Sequence, residues 1–115
     1  MVKRERSFLP SMEMVKGNLR PFAQATLRYP DGSVINLTGC SVRFHMEKDG
    51  AEIVDAVATI IDAVNGVVRY EWTGSDTNVS GRCKAEFEVT FSDSKKQCWP
   101  RGHNFYIVFR EPYAT

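Results

Sequence analysis

Residues 64–91 read VNGVVRYEWTGSDTNVSGRCKAEFEVTF and contain the two most regular strand patterns of the chain. In the second half, apolar and polar residues alternate over residues 82–91, which predicts a half-buried strand. The first half alternates in the same way over residues 67–72, directly after the Asn65-Gly66 turn signal. Between them, TGSDTNVSG is rich in residues that favour turns. We therefore predict two consecutive strands joined by a polar turn.

The composition of the whole chain is that of one globular domain. Its 115 residues are enough for a single hydrophobic core, and 43% of them are hydrophobic and 25% charged. The formal net charge of +1 gives no overall field toward nucleic acid or an anionic membrane. We find no apolar run long enough for a signal peptide or a membrane span. The sequence therefore predicts no nucleic-acid partner, no membrane partner and synthesis in the cytoplasm.

The three cysteines, Cys40, Cys83 and Cys98, leave at least one thiol unpaired. An odd number is a poor match to a disulfide framework and suits a reducing compartment. Cys40 and Cys83 lie on predicted strands that are able to face one another across a sandwich, so a bond between them is the alternative. We predict three reduced thiols that behave as small hydrophobic side chains.

Strand and turn patterns also occur outside the first stretch. Strands are predicted over residues 12–16, 21–29, 40–47, 53–62 and 104–110, with a brief edge segment over 34–39. The spacing in residues 53–62 also fits a short helix, but Val, Ile and Thr dominate the segment and favour a strand. These patterns predict an all-β fold, an antiparallel two-layer β-sandwich that is immunoglobulin-like with about seven strands. A closed barrel is the alternative.

The domain organisation follows from where periodicity begins. Residues 1–11 lack it and contain Pro10, so we expect a flexible N-terminal arm there and a single β-sandwich domain over residues 12–115. The apolar faces of the strands predict the core. Its members are Val42, Phe44, Met46, Val68, Tyr70, Trp72, Ala85, Phe87, Val89, Phe91, Phe105, Ile107 and Phe109.

Constellations of the kind that catalysis or metal binding requires are present only in weak form. Cys98 and His103 are spaced as two zinc ligands, but no CxxC or HxxxH pair accompanies them. We expect His45 to face solvent and Asp76 to cap a turn. Immunoglobulin-like domains often place a tyrosine at this corner, and Cys83 at the corresponding position cannot make its hydrogen bond. The sequence thus predicts no enzyme, no cofactor and no metal site.

A polar loop predicted over residues 92–103 is the most contact-like surface of the chain. It combines a tryptophan with several cations, and Trp and Arg are enriched at interface hot spots. The candidate interaction residues are Lys95, Lys96, Trp99, Arg101 and His103. The alternative is that Trp99 folds back over the end of the core.

Three motifs occur together and in order over nearly the whole chain. They are Asp31-Gly32 followed by Leu37-Thr38-Gly39, then GVVRYEW at residues 66–72, then Asp76 and Gly81 followed by AEFEVT at residues 85–90. In this combination the sequence resembles the N-terminal domain family of bacteriophage baseplate upper proteins, an immunoglobulin-like β-sandwich of phage and prophage tails. The chain departs from the family pattern at Cys83, where an aromatic residue is expected.

This resemblance implies a non-enzymatic structural role in a virion. We expect a protein that is made in the bacterial host cytoplasm, docks onto other phage tail or baseplate proteins in the particle, and forms a homo-oligomer. An alternative from a different class is a small carbohydrate- or receptor-binding module. Such a module would use Trp99, Tyr106 and the cations of the 92–103 loop.

Overall fold

A computed structural model describes residues 11–100 and 105–113, which form nine strands and two sheets. The strands are β1 (Ser11–Val15), β2 (Ala23–Thr26), β3 (Ser41–Lys48), β4 (Ala51–Val57), β5 (Thr59–Asp62), β6 (Val67–Tyr70), β7 (Gly81–Thr90), β8 (Lys96–Trp99) and β9 (Phe105–Arg110). The predicted all-β, two-layer sandwich is confirmed.

The larger sheet has the order β1-β9-β7-β3-β4, and β8 pairs with β7 beside the start of β9. The smaller sheet has the order β2-β6-β5. Every strand pair is antiparallel except β1 and β9, which are parallel. The predicted antiparallel sandwich therefore contains one parallel pair, at this edge. Hairpin partners must be antiparallel, whereas β1 and β9 come from distant parts of the sequence and no turn sets their relative direction.

The segment predicted as one strand over residues 53–62 is two strands in different sheets. The chain leaves the larger sheet after β4, passes through Ala58 and enters the smaller sheet as β5. Ala58 is buried, and its backbone N–H donates to the carbonyl of Val42 at 2.9 Å. Both strands contain β-branched residues, and the small side chain of Ala58 lets the chain cross close to the core. The sequence pattern therefore does not mark the change of sheet.

Part of the predicted polar loop over residues 92–103 is also a strand. β8 pairs with β7 with Trp99 opposite Phe87 and Lys96 opposite Thr90. A tight turn makes this possible, because the N–H of Phe91 donates to the carbonyl of Lys95 at 2.8 Å. β8 and the division of residues 53–62 into two strands bring the number of described strands to nine, whereas the sequence predicted about seven.

Two other sequence predictions differ from the structure in the extent of the predicted segment. The predicted edge segment over residues 34–39 appears as a single bridge between Arg28 and Val34, although Ile35 and Leu37 within it are fully buried. The predicted arm over residues 1–11 lies outside the described residues except for Ser11, at which β1 begins.

The core lies between the two sheets. All predicted core residues are buried except Phe91 and Phe105, which are partly buried and pack against it. An aromatic cluster forms its centre: Phe44 stacks on Tyr70 at 4.8 Å between ring centroids, and Trp72 meets Phe44 edge-on at 5.7 Å. This buried core holds the two sheets together. The two open sides of the sandwich, where the edge strands lie, have different surfaces.

Candidate functional site

The structure separates the residues of the predicted interaction loop. Lys95 and Lys96 are exposed, whereas Trp99 is only 6% exposed. Lys96 and Trp99 also lie on opposite faces of the sheet, because they are three positions apart on one strand. Arg101 and His103 lie outside the described residues. The arrangement therefore lacks the exposed Trp99 that a carbohydrate-stacking platform requires.

Trp99 instead forms one wall of an apolar groove at one open side of the sandwich. Its indole N–H donates to the carbonyl of Arg28 at 2.8 Å, which ties β8 to the chain that follows β2. The cavity has a volume of about 510 Å³. Its lining includes residues 24–28 and Pro30 from the smaller sheet, and Phe87, Trp99, Pro100 and Phe105 from the larger one. We call this cavity the β2–β8 groove.

The groove is suited to an apolar side chain and an extended backbone. Its lining is dominated by aromatic and aliphatic groups, which is typical of sites that bind apolar ligands. β2 is an edge strand, and among the described residues no strand pairs with its outer edge. The outer edge of β8 is likewise unpaired within the described part of the chain. Backbone groups at such edges are available to a further strand.

The opposite side of the sandwich presents apolar side chains outward rather than a cavity. Val57, Ile61 and Val64 are 70%, 43% and 62% exposed, and all three lie within eight consecutive residues. β4 and β5 are edge strands of their two sheets on this side, and neither has an outer partner among residues 11–100 and 105–113. We call Val57, Ile61 and Val64 the β4–β5 strip. Exposed apolar groups beside unpaired strand edges are typical of protein interfaces.

The outer face of the larger sheet carries a network of polar and charged side chains. His45 lies among three carboxylates: its Nδ1 is 3.4 Å from Asp55 and 3.8 Å from Glu52, and its Nε2 is 3.3 Å from Glu88. The guanidinium of Arg43 donates to Asp55 at 2.9 Å. The predicted solvent-facing histidine is thus part of a polar cluster that pairing between distant strands assembles.

Donor atoms of His45, Glu52 and Asp55 lie within 4.8 Å of one another, as ligands of a metal ion would. Arg43 already occupies the Asp55 carboxylate, and a cation beside a ligand opposes binding of a second cation. The cluster is therefore best described as a polar network in which Arg43 and Asp55 form an ion pair. The other metal-site candidate, Cys98 with His103, cannot be assessed from geometry because His103 lies outside the described residues.

Asp76 caps the turn after β6, as predicted. Its Oδ2 accepts a hydrogen bond from the N–H of Thr73 at 2.9 Å and one from the hydroxyl of Tyr70 at 2.5 Å. The corner therefore has a tyrosine hydrogen bond, but the donor is on β6 rather than at Cys83. Burial, reinforced by the bond to Asp76 and its negative charge, raises the pKa of Tyr70 to about 12.

The three thiols are free, as expected for a reduced protein. Burial raises the pKa of Cys83, and burial with the nearby carboxylates of Glu86 and Glu88 raises the pKa of Cys98 to about 11. Burial and the charge of Asp93 also raise the pKa of Cys40. Thiolate is the reactive form, so these environments oppose nucleophilic chemistry.

Sequence reasoning missed both the β2–β8 groove and the β4–β5 strip. The groove had no local signal, because its walls come from segments about seventy residues apart, as the bond from Trp99 to Arg28 shows. The strip did have a signal. In residues 53–64, IVDAVATIIDAV, apolar residues occur at both odd and even positions, and one strand cannot bury both sets in one core.

Comparisons with known proteins agree on one kind of module. The family model described as the BppU N-terminal domain matches residues 25–108. Among solved structures, the "N-terminal domain of phage TP901-1 ORF48" is similar with a TM-score of 0.62 and 16% sequence identity, over 89% of this chain and 84% of that one. At this identity the likeness shows the fold alone. No curated protein matches. No described helix is long and apolar enough to cross a membrane.

Proposed function

Because the chain belongs to the BppU N-terminal domain family, the baseplate upper protein module of phages, we propose that it is a non-enzymatic structural protein that docks onto other tail or baseplate proteins of a virion. The observation that carries this proposal is the extent of the match. Residues 25–108 run from within β2 to within β9 and include strands of both sheets. The family module is thus the sandwich itself rather than a short motif within it.

The β4–β5 strip is the surface that supports docking best. Three large aliphatic side chains in one short segment are costly to leave in water, and a partner would bury them. The unpaired edges of β4 and β5 add backbone donors and acceptors to the same side. An extended strand of another tail protein would satisfy these groups by strand addition.

Several features support a role without catalysis. The β2–β8 groove is lined mainly by apolar groups, and the described residues that line it include no pair of titratable side chains. His45 and its neighbouring carboxylates are engaged with one another and with Arg43. The pKa of each cysteine is raised above its ordinary value. Enzymatic chemistry needs a positioned nucleophile or acid-base pair in a concave site, and these environments do not favour one.

The proposal includes a location and an assembly state. The protein is made in the host cytoplasm and becomes part of the virion, where repeated copies dock around the symmetric tail. Neither nucleic acid nor membrane is a partner in this account. A net charge of +1 and the internal pairing of the surface charges support that part of the proposal.

Quantitative mass spectrometry of purified phage particles tests the proposed function. Particles from a host that encodes the protein should contain it in a fixed ratio to the other tail proteins, and the ratio should survive a high-salt wash. Deletion of the gene should yield particles that lack it and adsorb or assemble poorly. Complete, infective particles from the deletion strain would overturn the proposal.

A further inference from the structure

We propose that Arg20, Phe22 and Arg69 form a binding site, on the outer face of the smaller sheet, for a carboxylate-bearing segment of a partner protein. We call these three residues the arginine cluster. The segment that fits it has an acidic side chain next to an aliphatic one. The arginine cluster shares no residue with the β4–β5 strip, so this inference goes beyond the proposed function.

Strand pairing holds one arginine of the cluster in place. Arg69 of β6 is directly opposite Gln24 of β2. Its neighbours Val68 and Tyr70 are buried, so the side chain of Arg69 lies on the outer face of the sheet. Its Nε–H donates to Oε1 of Gln24 at 3.0 Å, and Nη1 donates to the carboxylate of Glu71 at 3.3 Å. These two bonds orient the guanidinium before any partner binds.

The ring of Phe22 brings a second guanidinium to the same place. The Cζ atoms of Arg20 and Arg69 each lie 5.3 Å from the centroid of this ring. Other arginines of the chain lie over a ring alone, as Arg82 does over Tyr106 at 4.4 Å. A guanidinium over an aromatic ring keeps its N–H donors at its rim, where they can bind a carboxylate. Phe22 therefore gathers two sets of donors on one surface.

The arginine cluster has an excess of positive charge. The carboxylate of Glu71 pairs with Arg69 at 3.3 Å. Arg20 is exposed, and within residues 11–100 and 105–113 no carboxylate pairs with it. Two guanidiniums with one carboxylate attract a further anion, and arginine binds carboxylates through two parallel hydrogen bonds. Charge complementarity thus favours an acidic partner.

Apolar surface beside this charge favours a protein segment over a free phosphate. Leu19 precedes Arg20 in the chain and is 42% exposed, and Phe22 is only partly buried. A phosphate ion would use the guanidiniums alone. A segment with an aliphatic residue next to its carboxylate would also cover apolar surface, and arginine and aromatic residues are enriched where proteins bind one another.

Titration of the isolated protein with short peptides tests the site, and its result does not depend on incorporation into phage particles. The probes are the acetylated and amidated peptide Ser-Leu-Glu-Leu-Ser and the same peptide with Gln in place of Glu. The readouts are the side-chain N–H signals of Arg69 and Gln24 in two-dimensional NMR spectra. We expect the Glu peptide to shift both signals and to bind at least about fivefold more tightly than the Gln peptide. This advantage should fall as the salt concentration rises.

Arginine variants of unchanged Tm show which cation binds the peptide. Arg20→Gln should weaken binding of the Glu peptide at least about fivefold, and Arg20→Lys, which keeps the charge but not the planar donors, should lose less. Arg82→Gln is the matched control, because Arg82 is also exposed and lies over a ring, and it should bind the peptide as the wild type does.

Three results would overturn the proposal. The first is equal affinity for the two peptides, and the second is an equal loss in Arg20→Gln and Arg82→Gln. The third is inorganic phosphate that shifts the same signals and binds as tightly as the Glu peptide, because the arginine cluster would then serve a phosphate group.

Discussion

The two open sides of the sandwich differ in whether their apolar side chains are buried or exposed. On one side Trp99 lies inside, bonded to the Arg28 carbonyl, and helps to form a groove. On the other side Val57, Ile61 and Val64 project into solvent from the segment that joins the two sheets. The groove is a concave apolar site, whereas the side chains of the strip are largely exposed to solvent.

We therefore expect residues of the groove side to contribute to stability and residues of the β4–β5 strip to contribute to assembly. Substitutions in the groove side remove contacts that the folded chain already makes, so they should lower the free energy of unfolding. Substitutions in the β4–β5 strip remove contacts that the isolated chain does not make, so they should affect only binding to a partner. The predictions below test this separation.

Trp99→Ala should have the largest effect on stability. It removes a buried indole and leaves the Arg28 carbonyl without its donor, at a cost of about 3 to 5 kcal/mol in the free energy of unfolding. Urea denaturation followed by circular dichroism measures the change. Tyr29→Ala is the control, since Tyr29 is near the groove but exposed. If the two variants lose the same free energy of unfolding, the side chain of Trp99 does not stabilise the fold.

Gly66→Ala should cost about 2 to 3 kcal/mol, because Gly66 lies directly against the backbone of Leu27 and Ile35. Its φ is +72°, and an added Cβ would lie 2.7 Å from the carbonyl oxygen of Ile35 and 2.9 Å from that of Leu27. Gly50→Ala is a matched control with a φ of +84° and open space around the added atom. It should cost about 1 kcal/mol. Equal losses in urea denaturation would show that the backbone adapts at Gly66.

Tyr70→Phe should cost about 1 to 2 kcal/mol at neutral pH, since the Tyr70 hydroxyl on β6 donates to the Asp76 carboxylate in the turn that follows β6. The pKa of Tyr70 is raised to about 12 from an ordinary value near 10. Its contribution is therefore complete below about pH 10 and is lost as the pH rises toward about 12.

The pH dependence provides a control for that bond. Between about pH 10 and pH 12, the wild-type protein should lose more stability than Tyr70→Phe, because only the wild type has this hydroxyl to ionise. Other groups, including Cys98, titrate in both proteins and cancel in the difference. Parallel curves for the two proteins would contradict the role of the corner bond.

Val57→Lys should change the free energy of unfolding by less than about 0.5 kcal/mol, the smallest effect of the series. The side chain is exposed at the end of an edge strand, where lysine is well tolerated. Thermal and urea denaturation both measure the change in the free energy of unfolding. A loss above about 1 kcal/mol would mean that the strip is structural and would remove the difference between the two sides.

The sequence predicted the fold where its signals are local. The strands at residues 67–72 and 82–91 follow from alternation and turn chemistry, and the resemblance to the baseplate upper protein family is confirmed by the family match. The burial of Trp99 agrees with the alternative in which it folds back over the end of the core. The sheet change at Ala58 and the bond that holds Trp99 did not follow, because they depend on partners far away in the sequence. Ala58 donates to Val42 and Trp99 to Arg28, and no local pattern specifies either pair.

The candidate surfaces also depend on contacts between residues that are far apart in the sequence. Cations and Trp99 are neighbours in sequence, but strand alternation places Lys96 and Trp99 on opposite faces of the sheet. His45 meets Glu88 and Asp55 only because β3 lies between β7 and β4. The β4–β5 strip was within reach of sequence analysis, since a segment that is apolar on both faces must expose one of them.

Incorporation of strip variants into phage particles tests the central claim most directly. A strain that lacks the gene is complemented with the wild-type chain, with the double variant Val57→Lys and Ile61→Lys, or with Tyr29→Lys as an exposed control from the other side. Quantitative mass spectrometry then gives the copies of each chain per particle. We predict wild-type copy numbers for Tyr29→Lys and at least a tenfold loss for the double variant, which should remain folded. Wild-type copy numbers for the folded double variant would contradict docking through the β4–β5 strip.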